Sequence, residues 1–310
     1  MIPAAFDYLR PTSIGEALEM VSRQEGPTFL AGGHAVLPEA KLRHTRPSAL
    51  IDLGRIAELR GIDVREDAGS PRPPDSGGTG LMVHIGAMTT SAEIEHSPDI
   101  ARAAPLLSAA AAVISDPLIR NRATLGGSIA TADPHGDWPP IALAADATMH
   151  LRGLDGERTL PAQDFFSPNG TVPEGRRTAL RPGELLTGVT VPAVDARTRS
   201  TYLKRMHPAS GYAMLGVAVM ATFAADDTCR GCRIAITGAG ATVTRAVSTE
   251  HRLVGSRLTP EAIEGAATAA NDGIGFVGDA FGSAEYLAEL LPLYVYRALS
   301  QITTLSTPSS

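Results

Sequence analysis

Only two cysteines occur in the 310 residues, Cys229 and Cys232. That number excludes a disulfide framework. It also excludes an iron–sulfur cluster held within the chain, which usually takes four thiolates. Lysine is just as scarce: of 27 basic residues, all but Lys41 and Lys204 are arginine. A position that stays lysine against that bias is a candidate for needing a compact, rotatable ammonium. No long hydrophobic run exists. The longest small-apolar stretch, residues 103–114, is interrupted by Pro105 and Ser108 and is too short to span a bilayer. The N-terminus lacks the basic and apolar regions of a signal peptide. A net charge of −6 gives no electrostatic case for nucleic acid or an anionic membrane. The expectation is a soluble cytoplasmic protein with neither a membrane span nor a nucleic-acid partner.

Familiar catalytic signatures are missing too. There is no G-x-x-x-x-G-K-[ST], no G-x-S-x-G and no H-E-x-x-H, and the eight histidines are scattered. Gly273, Gly275 and Gly278 fit G-x-G-x-x-G by spacing. They follow a helical pattern rather than a strand, so the dinucleotide reading fails. Gly238 and Gly240 follow a strand but lack the third glycine. Cys229 and Cys232 form one C-x-x-C at the opening of a strand, and ordinary reduced thiols are expected. No catalytic residue and no metal ligand is assigned.

What is present is a pair of glycine loops. RNRATLGGSIATADPHGDWP at 120–139 carries Gly126 and Gly127 between Thr124 and Ser128, followed by Asp133 and Asp137. A second pair, Gly32 and Gly33, follows a short strand at 28–30 and precedes a helical run containing Leu37, Ala40, Lys41 and Leu42. Glycine permits close backbone approach and positive φ, and successive N–H groups make a concave seat for an anion. Strand, glycine pair and helix start is the arrangement that aims N–H groups at a phosphate. Two such loops without a triad or a metal set suit a chain that holds a phosphate-bearing cofactor and leaves the chemistry to it.

Periodicity divides the chain into residues 1–60, 61–178 and 179–300, followed by a polar tail at 301–310. The first unit has an amphipathic helix at 13–24, capped by Thr12 or Ser13 with Glu16 in place for a capping box. Strands follow at 28–30 and 49–53. The second opens with a hairpin, 61–65 and 81–86, whose tip is the Pro/Gly/Ser loop 67–80. Helices at 90–96, 101–113 and 140–145 and a strand at 148–152 follow. The third begins with a strand at 184–191 ending at Pro192. It continues with strands at 200–205, 213–223 and 232–236 and helices at 260–270 and 283–300.

With these segments in order, the chain resembles the FAD-binding medium subunit of molybdenum hydroxylases of the carbon monoxide dehydrogenase and xanthine dehydrogenase type. The resemblance is carried by FDY at 6–8 with PTS at 11–13, FLAGGHAVLPEAKLR at 29–43 and LIDL at 50–53. It continues in DPLIRNRATLGGSIATADPHGD at 116–137, LRPGELLTGVTVP at 180–192, YLK at 202–204, SGYAMLGVAV at 210–219 and SAEY at 283–286. It implies an α+β fold. A two-part FAD-binding domain, a small α/β unit plus a mixed or antiparallel sheet unit, precedes a C-terminal antiparallel sheet with helices. It puts Phe29, Leu30, Ala31, Gly32, Gly33, His34, Ala35 and Val36 against the cofactor, together with Thr124, Leu125, Gly126, Gly127 and Ser128. Ile114, Asp137, Leu186 and Lys204 complete the set. It implies an oxidoreductase subunit, an electron-transfer flavoprotein. The partners would be a molybdenum-binding large subunit and a small iron–sulfur subunit, in a dimer of heterotrimers. The molybdenum cofactor and [2Fe-2S] clusters would belong to those partners. A self-sufficient flavoenzyme and a flavin-free scaffold remain as alternatives.

Overall fold

The computed structural model describes residues 2–66, 78–166, 176–280 and 282–304. Most of the expected loop at 67–80 and most of the tail at 301–310 lie outside the described residues. No described helix is long and apolar enough to cross a membrane.

The first unit is a three-stranded parallel sheet. β1 (Asp7–Leu9), β2 (Thr28–Leu30) and β3 (Ala49–Asp52) lie in the order β1-β3-β2. α1 (Ile14–Ser22) starts where expected because Ser13 Oγ accepts the Glu16 N–H, while Glu16 Oε2 accepts the Thr12 N–H. Its Ile14, Ala17 and Leu18 share a small core with Ile51, Leu53, Ile56 and Leu59. α2 (Val36–Leu42) follows the first glycine loop.

The second unit is built on a five-stranded antiparallel sheet. Its strands are β4 (Ile62–Glu66), β5 (Gly78–Gly86), β6 (Thr148–Gly153), β7 (Gly156–Pro161) and β8 (Leu185–Val194), in the order β4-β5-β8-β6-β7. The expected boundary at 178/179 is therefore misplaced for this strand, because β8 pairs with β5 on one side and β6 on the other. It also runs through Pro192 instead of ending there. Past Thr190 it has no β6 neighbour, so a residue without an N–H is tolerated. α3 (Ser91–His96) begins in a full capping box of Thr90 and Glu93. The single helix expected at 101–113 is two, α4 (Pro98–Ala103) and α5 (Pro105–Ala112). Pro105 cannot continue a helix but suits its first position, and that breaks the run. α6 (Pro117–Arg120), α7 (Leu125–Thr131), α8 (Trp138–Ala144) and α9 (Ala162–Phe166) complete the unit.

The third unit is an antiparallel sheet of β9 (Thr198–Met206), β10 (Ala213–Phe223), β11 (Cys229–Thr237) and β12 (Thr244–Arg245), in the order β12-β11-β10-β9. α5 and α8 of the second unit pack on it, as do α10 (Val247–Leu253) and α12 (Ala284–Thr304) of its own. α11 (Pro260–Ala267) packs on both of these. Cys229 and Cys232 are free thiols buried in this unit's core. The main core is continuous from the second unit into the third. It joins Val83, Ile129, Trp138 and Phe165 to Tyr202, Ala218 and Ala235.

Candidate functional site

The two glycine loops pack against each other where the first two units meet. β2 ends at Leu30, which is half-buried like Phe29 before it. The chain then turns through Ala31, Gly32, Gly33, His34 and Ala35 into Val36, the first residue of α2. Gly33 has φ +85°, which a side chain rarely adopts, and its carbonyl accepts the Leu37 N–H. Among the described residues, the N–H groups of Gly32, Gly33, His34 and Ala35 enter none of the main-chain hydrogen bonds. The His34 side chain is exposed.

The second loop differs from the expectation of another exposed N–H cradle. It is the first turn of α7, and its donors are already used. The Leu125 N–H goes to Thr89 O (3.0 Å), Gly126 N–H to Ala87 O (2.9 Å) and Ser128 N–H to Thr124 O (3.1 Å). The Gly127 N–H goes to Thr124 Oγ1 at 3.1 Å. Neither glycine needs positive φ; both are required by space. A Cβ on Gly126 would lie 2.4 Å from the Ala87 methyl, and one on Gly127 would lie 2.8 Å from Thr124 Oγ1 and 3.2 Å from the Ala31 methyl. Gly32 returns the constraint, since its Cβ would meet Arg122 O at 2.3 Å. The second loop thus holds the first in place.

α7 leads away from the glycine seat to a buried ion pair. Over its seven residues, at about 1.5 Å per residue, the helix spans about 10 Å. Beyond it Asp137 lies buried, with Oδ2 accepting from Lys204 Nζ at 2.9 Å and Oδ1 from the Tyr202 hydroxyl at 2.6 Å. Tyr202 and Lys204 stand two residues apart on β9 and so share a face. Lys204 Nζ also donates to Val113 O at 3.2 Å, which ties it to the segment carrying Ile114. Only 4% of the Lys204 side chain is exposed, so it is not the surface lysine that its length would allow. Burial pushes the Asp137 carboxyl above its ordinary value, and Lys204 and Tyr202 oppose that rise. Burial, reinforced by the Asp137 charge, raises the Tyr202 phenol.

The structure brings most of the expected residues into two groups. Residues 29–36 and 124–128 form the glycine seat. Ile114, Asp137 and Lys204 form the second group at the far end of α7. Leu186 is buried in β8 opposite Leu151, on a strand that contacts α7. Tyr202 was not among the expected residues, although the Y-L-K alternation beside Lys204 signals it. Also absent from that set were Arg10, Asp52, Arg60 and Arg122, which line a cavity of about 280 Å³ next to Ala31, Gly32 and Thr124. The hairpin between β9 and β10 packs against Ser115, the neighbour of Ile114. Ser115, at φ +44°, donates through Oγ to Ser210 O at 3.4 Å, and Gly211 has room for no side chain against it. Among the described residues no cluster of three His, Cys, Asp or Glu could hold a metal.

Comparison with known proteins matches both parts of this architecture. Residues 4–194 match the family model described as the FAD binding domain in molybdopterin dehydrogenase. Residues 200–302 match the CO dehydrogenase flavoprotein C-terminal domain. The chain is 37% identical over 301 residues to the carbon monoxide dehydrogenase medium chain of Hydrogenophaga pseudoflava, covering 97% of this chain and 98% of that one. It is 33% identical over 296 residues to the nicotine 6-hydroxylase medium subunit of Paenarthrobacter nicotinovorans, covering 95% and 96%. A solved structure of the Hydrogenophaga pseudoflava carbon monoxide dehydrogenase superposes with a TM-score of 0.87, covering 98% of this chain and 99% of the other.

Proposed function

The chain belongs to the FAD-binding medium-subunit family of the molybdenum hydroxylases, and from that premise we propose that it relays electrons between the redox centres of partner subunits and an external acceptor. It is an oxidoreductase subunit, and FAD is its cofactor. The described residues fit that cofactor. Four successive N–H groups at 32–35 are left for an anion, and the space between the loops is too narrow for a Cβ at Gly127. When bound, FAD supplies the redox centre, taking up and releasing electrons one or two at a time.

The protein's own residues then bind, orient and set charge. The N–H groups of Gly32, Gly33, His34 and Ala35 would hold diphosphate oxygens, a role suited to donors that have no main-chain partner among the described residues. The turn at 124–128 fixes the position of that loop. Ile114 and Leu186 are buried and would exclude water from the bound cofactor. Lys204 would supply a positive charge to the bound cofactor, and Asp137, itself held by Tyr202, keeps that ammonium in one place. A charge in a site that excludes water acts on its neighbours more strongly than one in solvent.

Among the described residues, the titratable side chains Asp137, Tyr202 and Lys204 of the second group are engaged with one another. In our reading a molybdenum-binding large subunit oxidises the substrate, and a small iron–sulfur subunit delivers the electrons, in a cytoplasmic dimer of heterotrimers. The single observation that carries the reading is the glycine seat with unused N–H donors, set one short helix away from a buried Lys204–Asp137 pair. The experiment compares flavin bleaching by candidate aldehydes and N-heterocycles in the purified chain and in the co-expressed complex. Reduction is expected only in the complex. Equal rates in the isolated chain would replace the relay with a self-sufficient flavoenzyme.

A further inference from the structure

Both glycine patterns set aside as nucleotide motifs meet in the third unit, and together they reach the turn that carries Asp137. Gly238 and Gly240 follow β11, and residues 273–278 lie between α11 and α12. The Val277 N–H donates to Ala239 O at 3.0 Å, and Gly240 bridges to Phe276. A Cβ on Gly240 would lie 3.0 Å from Gly275 O, so a side chain there would crowd this approach. The contact brings Asp279, one residue beyond the second pattern, onto His135. Asp279 Oδ2 stands 2.7 Å from His135 Nε2.

His135 is the middle residue of the turn from Asp133 to Asp137. Its other ring nitrogen, Nδ1, donates to Ala213 O at 2.8 Å, at the start of β10. A carbonyl oxygen only accepts, so Nδ1 carries a proton there. A proton on Nε2 as well makes the Asp279 contact charge-assisted, the stronger kind of hydrogen bond. The main chain on either side is held by the end of β11. Thr237 Oγ1 donates to Pro134 O at 2.6 Å and to Gly136 O at 3.1 Å, and the Gly238 N–H donates to Pro134 O at 2.7 Å. The His135 N–H itself goes to Asp133 Oδ1 at 2.8 Å. Three segments of the third unit therefore fix a turn whose last member is Asp137, the carboxylate that accepts from Lys204 Nζ.

Resting on the reading of Lys204 above, we infer that His135 and Asp279 are positioning residues for its ammonium. They act through the turn. By fixing the main chain two residues before Asp137, they fix where its carboxylate holds Lys204. A lysine needs such a hold, because its flexible four-carbon stem leaves the charge free to wander. A looser turn spreads the ammonium over more positions and weakens its field at the flavin. A direct charge effect has the opposite sign. Removing the Asp279 carboxylate takes away a negative charge, which by itself favours the reduced, anionic ring. The direction of the change in flavin potential therefore separates positioning from charge.

The test is a redox titration of the bound flavin in the FAD-loaded, full-length chain. It uses wild type, Asp279→Ala, Asp279→Asn, Lys204→Met and the double variant of Asp279→Ala with Lys204→Met. The His135–Asp279 pair is partly open to solvent, with 20% and 32% of the two side chains exposed, so the Asp279 variants should melt close to wild type. Asp279→Ala is expected to lower the midpoint potential, by less than Lys204→Met does. Asp279→Asn keeps an acceptor oxygen and should lower it less again. In the Lys204→Met background Asp279→Ala should add no further fall, because its effect passes through the ammonium. Thr237→Val loosens the same turn without touching the His135 ring. It should lower the potential too, and it decides the matter where the double variant does not load FAD. An unchanged or raised potential in Asp279→Ala or Thr237→Val, or an equal fall in both backgrounds, would overturn the inference while leaving the FAD reading intact. A Lys204→Met protein with an unchanged potential would instead remove the reading of Lys204 on which the inference rests.

Discussion

Gly32→Ala probes the junction on which the cofactor seat depends. The added methyl would stand 2.3 Å from Arg122 O and 3.0 Å from Ala123 Cα, whereas ordinary contacts begin near 3.4 Å. The two loops must therefore separate by about 1 Å. Neither opposing atom belongs to a flexible side-chain end. The opposing segment is itself tied down, since Ala123 O accepts the Ser91 N–H at 2.9 Å and Leu125 N–H bonds Thr89 O at 3.0 Å. Overpacking against such backbone costs about 1–3 kcal/mol. A shift of that size also carries donors at 32–35 out of hydrogen-bonding range of a fixed phosphate. Losing one hydrogen bond to a charged group costs about 1.5–3 kcal/mol, or roughly tenfold to a hundredfold in FAD affinity. Urea unfolding of the apoprotein measures the first quantity, and FAD fluorescence titration measures the second. Gly265→Ala is the control. It lies in α11 with open space around it, so it should gain about 0.5–1 kcal/mol and leave FAD affinity alone. A Gly32→Ala protein as stable as wild type, with the same FAD affinity, would refute the packed junction.

Lys204→Met leaves Asp137 buried beside Tyr202 alone and should cost about 3–5 kcal/mol, measured by urea unfolding. Without the ammonium, the native Asp137 carboxyl rises further above its ordinary 3.8, so the native state binds the proton more tightly than the unfolded one. The variant's deficit should therefore be smaller at pH 5 than at pH 8; a deficit independent of pH would contradict the burial argument. Redox titration of the FAD-loaded variant should show a lower flavin potential, because a nearby positive charge favours the reduced, anionic ring. Arg158→Met tests the tie between β7 and the turn before β8. Burial raises the Glu184 carboxyl, but the Arg158 hydrogen bonds, the Arg181 N–H and the Arg158 charge win and hold it below 4.5. That contribution is present above 4.5 and is lost as pH falls through the lower native value. Wild type and variant should differ by about 1 kcal/mol at pH 7 and converge on acidification, as read by thermal melting; a constant gap would count against the pair.

Local chemistry was legible in the sequence, and long-range pairing was not. Ser13 and Glu16 announce α1 because a cap is built from residues three and four apart. Gly33 announces a left-handed turn because only glycine adopts it without cost. From the sequence β8 falls with the third unit, because its partners on β5 and β6 lie tens of residues upstream and no periodicity records a partner. The Gly126–Gly127 pair reads as an exposed loop, since nothing nearby reveals that Ala87 and Ala31 occupy the space where side chains would be. Asp137 and Lys204 were expected at the cofactor through family resemblance. Their contact with each other, and the part of Tyr202 in it, needed three dimensions. The three arginines of the cavity, Arg10, Arg60 and Arg122, arrive from three separate stretches of chain, which no spacing rule could gather.

The core that runs unbroken from Trp138 and Phe165 into Tyr202, Ala218 and Ala235 bears on how the protein comes apart. Only residues 195–197 separate β8 from β9, and Arg233 reaches back to Asp146 at 2.7 Å. The two larger sheets thus form a single cooperative unfolding block. The first sixty residues hold a smaller core of their own, joined to that block through Met88 and Leu185. Amide exchange should accordingly be fastest in β1 to β3, with both larger sheets protected to a common global limit. FAD would then leave by transient opening of the first unit, so the lifetime of the holoprotein is set by the local stability of its smallest sheet.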